Sequence, residues 1–149
     1  MFIEIAEGDV ALRSVMILED EALVAMMMES VIAELGVDTV TIFASCEEAR
    51  HFAASAKIDC ALLDVRVRDG LVTEIADLLM LRGIPLVFTS GSGIEMLDAR
   101  FQHLPKVEKP FSDEALKLAV IDAVASHRTS VAPPCGPGEG RVATPAVTD

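Results

Sequence analysis

The sequence predicts an α/β domain of the (βα)₅ kind, a doubly wound, five-stranded parallel sheet covered on both faces. Three observations carry that expectation. Short apolar runs such as SVMIL, CALL and IPLVF each stop at a polar residue, as buried parallel strands do. Stretches of helical period follow them, with capping residues at their starts and glycines at their ends. The two patterns alternate from residue 14 to residue 127, and no internal repeat interrupts them.

Residues 1–13 have no period and read as a lead-in, with at most a short strand at 2–5. The first strand is 14–18, and it delivers Glu19 and Asp20 to its end. A helix follows over 21–35, stopped by Gly36. Its expected core stripe is Val24, Met27, Met28, Val31, Ile32 and Leu35, which leaves Leu23 and Met26 on the outer side. Residues 39–43, TVTIF, are β-branched and aromatic and form the second strand. Ser45 caps the next helix, to about residue 56, with Glu48 completing a capping box. The third strand, 59–63, ends at Asp64. A turn at 68–70 leads to a helix over 73–81, which Gly83 ends before a fourth strand at 84–88. The GSG at 91–93 precedes a short helix near 94–100. Leu104, Pro105, Lys106 and Val107 make a fifth strand, whose proline suits an edge. Ser112 caps a final helix over 113–127. From about 128 the chain is a tail with seven Pro or Gly in its last 21 residues. That composition predicts disorder.

Composition narrows the function. A length of 149 residues suits one domain with a real core, and no apolar run reaches the ~18–20 residues of a membrane span. The first ten residues carry acids where a secretory signal carries basic residues. Cys46, Cys60 and Cys135 have no metal-ligand spacing and read as reduced thiols of a cytoplasmic protein. A net charge of −12 argues against binding a nucleic-acid backbone. His51, His103 and His127 also lack ligand spacing.

In open parallel sheets, chemistry sits at the carboxyl ends of the strands. Four strand ends here would bring together the acid pair Glu19 and Asp20, the lone Asp64, the hydroxyl of Thr89 and the ammonium of Lys109. Each has a bland reading. A strand-end Asp is often a cap, an acid run complements a helix N-terminus, and Lys or Thr in a loop is usually solvated. Their joint occurrence in this order is what favours a site.

The motifs ILEDE, LLDV, VFTSG and VEKPF, each at a strand end, make residues 14–127 resemble the receiver domain of bacterial two-component response regulators. The run LRGIPLVFTSGSG is similar to the fourth-strand motif of the stand-alone receivers called FATGUY regulators. It departs from that motif in having Thr-Ser-Gly-Ser where Ala and Tyr are usual. The resemblance implies a CheY-like fold with strand order 2-1-3-4-5. It implies a single-domain regulator in a phosphorelay, with Asp64 as phosphoacceptor and Mg²⁺ as cofactor. Asp20 and Asp64 would hold the metal directly, Glu19 through water, and Arg66 through its backbone carbonyl. Lys109 and Thr89 would contact the phosphoryl oxygens. The implied partners are a histidine kinase or phosphotransfer protein, docking on the first helix and the loop around Pro110 and Phe111, and a downstream protein, with neither nucleic acid nor membrane. Such a protein catalyses only its own phosphorylation and dephosphorylation and is not a conventional enzyme. Three departures stand out: the link from Asp64 to Gly70 is short, it lacks the usual proline, and Lys106 occupies the position of an aromatic switch residue. They motivate the alternative of a pseudo-receiver, a binding module that does not turn over phosphate. A small phosphohydrolase is the remaining alternative, although no further acid, base or cap segment is visible.

Overall fold

The computed structural model describes residues 12–67, 70–91 and 97–131. The expected strand at 2–5, part of the turn at 68–70, the loop at 92–93, the start of the helix near 94 and the tail from 132 lie outside the described residues.

Five strands form one parallel sheet: β1 (Ser14–Leu18), β2 (Thr39–Phe43), β3 (Cys60–Asp64), β6 (Leu86–Ser90) and β7 (Lys106–Glu108). They lie in the order β2-β1-β3-β6-β7, which is the 2-1-3-4-5 winding that the resemblance implies. Between β3 and β6 the chain makes an antiparallel ribbon, β4 (Arg66–Val67) against β5 (Gly70–Leu71). The helices are α1 (Ala22–Ala33), α2 (Cys46–Ser55), α3 (Thr73–Leu81) and α4 (Asp113–Val131). Among the described residues no helix is long and apolar enough to cross a membrane.

Alternation along each strand splits the interior into two layers. Met16 and Leu18 of β1 join Leu63, Phe88, Ile75 and Leu79 on the α2–α3 face. Val15 and Ile17 join Leu62, Val87, Met28 and Ile32 on the α1–α4 face. β1 and β3, central in the sheet, are buried along nearly their whole length, so their carboxyl ends can hold charge away from bulk water.

Local chemistry fixes the boundaries. Ser45 Oγ accepts from the Glu48 amide at 3.2 Å, one half of the expected capping box. The other half reaches one residue further, because Glu48 Oε1 accepts from Ala44 N rather than from the cap residue. Gly36 and Gly83 have φ of +85° and +75°, the left-handed region that lets a helix end sharply without a Cβ penalty.

Several expectations shift. On α1 the stripe is narrower: Met28, Val31 and Ile32 are buried and Val24 and Leu35 partly so, whereas Met27 is 51% exposed and Ala25 takes the inward place. The fourth strand begins at Leu86 instead of residue 84 and runs to Ser90, so Thr89 lies within it. Pro85 has no N–H to give the ladder, and its carbonyl instead accepts from Ala61 N. Likewise β7 is Lys106–Glu108, displaced from the expected 104–107, and it does occupy the sheet edge. Where a helix near 94–100 was expected, the described part is a single 3-10 turn, Ala99–Phe101. Helix α4 continues past residue 127 to Val131. At the other end Leu12, read as lead-in, is buried against β1.

Candidate functional site

The ends of β1 and β3 place three carboxylates together. Glu19 directly follows β1, Asp20 follows Glu19, and Asp64 closes β3, with oxygens of all three within 4.8 Å of one another. Glu19 and Asp64 are buried, at 1% and 6% exposure. Backbone amides orient two of them: Glu21 N donates to Glu19 Oε2 at 3.1 Å, and Arg66 N donates to Asp64 Oδ1 at 3.2 Å. Arg66 thus meets Asp64 through its amide, at the start of the β4–β5 ribbon.

Lys109 follows β7 and supplies the cation. Its Nζ lies 2.7 Å from Glu19 Oε1 and 3.1 Å from Asp64 Oδ2, with its side chain only 16% exposed. The pairing with Glu19 was missed by sequence reasoning, which carries no signal for how two strand ends three positions apart in the sheet meet. The Lys109 amide donates to Ser90 O at 2.8 Å, which fixes the backbone carrying that side chain beside the end of β6. Thr89 faces Asp64 in the β3–β6 register and is fully buried. Its Oγ1 has no hydrogen-bond partner among the described residues, an unusual state for a buried hydroxyl. All the residues singled out from the sequence therefore come to one end of the sheet.

The charges do not cancel. Burial pushes the Glu19 carboxyl above its ordinary 4.5; the hydrogen bond from Lys109 offsets part of this, and the charge of Asp64 adds to it. Burial also raises Asp64 above its ordinary 3.8, against the hydrogen bond and charge of Lys109, with Asp20 contributing repulsion. For Lys109 burial acts downward, but the hydrogen bonds to Glu19 and Asp64 outweigh it and hold the ammonium above the ordinary lysine value. Among the described residues, Lys109 is paired with two of three clustered carboxylates, which leaves a surplus of negative charge in a poorly solvated place. An oxygen-only donor set with such a surplus suits a hard divalent cation. The unpartnered Thr89 hydroxyl next to Asp64 suits an acceptor oxygen arriving on that carboxylate.

No family model and no curated protein matches the chain. Among solved structures it is similar to SdrG from Sphingomonas melonis Fr1, at 34% identity and a TM-score of 0.67, over 79% of this chain and 98% of that one. It is similar to the signal receiver domain of a modulated diguanylate cyclase from Desulfovibrio desulfuricans G20, at 25% identity and a TM-score of 0.67, over 80% and 99% of the two chains. The response regulator PhyR from Brucella abortus matches at 27% identity and a TM-score of 0.69, over 80% of this chain but 51% of that longer one.

Proposed function

The chain belongs to the response regulator receiver domain family, and from that premise we propose that Asp64 accepts a phosphoryl group from a phosphohistidine. The observation that supports this most is the buried carboxylate of Asp64 at the end of β3, flanked by two more carboxylates and paired with Lys109, beside a buried hydroxyl that lacks a partner among the described residues. A carboxylate oxygen of Asp64 forms the new bond to phosphorus as the donor's nitrogen–phosphorus bond breaks, and the imidazole leaves with the electron pair. Catalysis of such a transfer is mainly positioning and charge compensation. Mg²⁺, held by Asp20 and Asp64 directly, by Glu19 through water and by the backbone carbonyl of Arg66, would neutralise charge on the phosphoryl oxygens. Lys109 changes from holding two carboxylates to holding the modified Asp64, and Thr89 Oγ1 gains its hydrogen bond.

The donor is a histidine kinase or phosphotransfer protein. Leu23, Met26 and Met27 on α1 are 72%, 62% and 51% exposed and offer it an adaptable apolar face. On this reading the protein is a bacterial, cytoplasmic response regulator that signals through protein contacts and has no substrate of its own.

The test is phosphate incorporation from a small acyl-phosphate donor and from a histidine kinase, with and without Mg²⁺, on wild type and Asp64→Asn. Mg²⁺-dependent labelling lost in the variant supports the reading; undiminished labelling of Asp64→Asn overturns it. A second reading, the pseudo-receiver, is favoured by Lys109 being engaged by two carboxylates before any phosphoryl group arrives. Absence of wild-type labelling from both donors would select it.

A further inference from the structure

Lys106 stands three residues before Lys109 on the same edge of the sheet, and its ammonium has partners of its own. It donates to the backbone carbonyls of Gln102 and of Leu104, the latter at 3.0 Å. Both carbonyls belong to the link between β6 and β7 that contains the 3-10 turn. Gln102 closes the same link by donating from Nε2 to Leu97 O at 2.9 Å. Phe101, in the turn, is fully buried with its ring 5.8 Å from that of Phe88. In the β6–β7 ladder Phe88 faces Lys106 and Thr89 faces Val107. The residue that ties the link and the unpartnered hydroxyl beside Asp64 are thus one step apart on paired strands.

We infer that Lys106 is a latch: its ammonium holds the 97–105 link closed while Thr89 Oγ1 is unpartnered, and lets go when that hydroxyl is drawn toward a modified Asp64. The coupling half of this rests on the phosphoacceptor reading; the latch itself does not. Drawing Thr89 inward displaces the adjacent Phe88, and with it the seat of Phe101, so the link shifts against β7. The two carbonyls then move relative to the ammonium that holds them. Lysine suits the task because its stem runs along the strand while its head offers three donors. Gln102 is exposed and Leu104 partly so, which lets water replace the lost bonds, so removing the ammonium loosens the link without unfolding the protein.

The test is amide hydrogen exchange by NMR on the full chain, as wild type, Lys106→Met and Lys106→Arg, each with Mg²⁺ alone and with Mg²⁺ plus beryllofluoride as a stable acyl-phosphate mimic. Without the mimic, the Gln102 and Leu104 amides in Lys106→Met should exchange roughly tenfold faster than in wild type, with β1 and β3 unchanged. Lys106→Arg should retain part of the protection. With the mimic, wild type should reach the Lys106→Met rates. Equal rates in wild type and Lys106→Met overturn the latch, and so does acceleration spread equally over β1 and β3. If the mimic shifts the Thr89 amide while the wild-type link exchanges as before, the latch is not coupled to Asp64. If the mimic shifts nothing near Asp64 in any variant, the phosphoacceptor reading and the coupling fail together, while the comparison without the mimic still decides the latch.

Discussion

Two aspartates bracket β3, and the fold treats them in opposite ways. Asp59, just ahead of the strand, accepts the backbone amides of Arg13 and Ser14 on Oδ2 at 2.9 and 3.0 Å, and its own amide donates to Ser14 O at 2.8 Å. It ties the start of β1 to the start of β3. Asp64, at the far end, is buried against Glu19 and Asp20 with Lys109 as the shared cation. The first carboxylate lowers the energy of the folded chain; the second raises it for want of enough positive charge. The amino end of the strand supplies stability, and the carboxyl end concentrates the charge that costs it.

That contrast can be broken by substitution. The largest effect is expected for Asp64→Asn, which should lower phosphate incorporation by at least about a hundredfold, as losing a reacting nucleophile does, while folding stability is kept or increased. Radiolabelling and denaturant titration on one preparation check both halves. The mirror experiment is Asp59→Ala, which should cost about 2 kcal/mol of stability through two lost charge-assisted hydrogen bonds and leave labelling per folded molecule unchanged. If Asp59→Ala instead lowers labelling as much as Asp64→Asn, the two ends are not separable.

Smaller effects sharpen the comparison. Millimolar Mg²⁺ at matched ionic strength should raise the melting temperature by about 2–4 °C in wild type and in Asp59→Ala but not in Asp64→Asn, since only the native acid cluster binds the ion. The pH dependence is the finest test, and its sign is fixed by the raised carboxyls. The unfolded chain loses the protons of Asp64 and Glu19 near 3.8 and 4.5, whereas the folded chain keeps them to higher pH. Between those ordinary values and the raised ones the native state binds more protons, so metal-free stability should fall as pH rises. Below the ordinary values that penalty is absent. Lys109 has the same sign in a far more alkaline window: its contribution is complete below its ordinary 10.5 and is lost only as pH climbs through its raised folded value. Asp64→Asn should flatten part of the acid-side fall, as seen by urea titrations at several pH values without metal.

Much of the site was legible because the strands that carry it end where apolar runs end. β1 and β2 keep the bounds read from sequence, so Glu19 and Asp20 fall where the pattern puts them. Ambiguity entered where neighbouring positions are chemically alike. Ala22 to Met28 is an unbroken apolar run, and period alone cannot set the phase of its buried face; packing chose Ala25 over Met27. The β4–β5 ribbon has two residues in each strand, too few for any alternation to register. The latch was illegible for a different reason. Lys106 declared only what it replaced, and its carbonyl partners follow from the path of a link that no local signal specifies.

The path of the ends carries a consequence for engineering. Leu12 and Arg13 lead into β1 beside Asp59, at the amino edge of the sheet. Helix α4 returns to that edge: Ala123 and His127 line a groove there with Ile84 and Pro105, at the starts of β6 and β7. Both ends of the folded unit therefore leave from the side opposite Asp64. Reporter proteins, fluorophores or surface anchors grafted at either end of the folded unit would start from the side away from Asp64. Joining the two ends and opening the chain in a distant loop would give a permuted sensor whose new termini could be set beside the site.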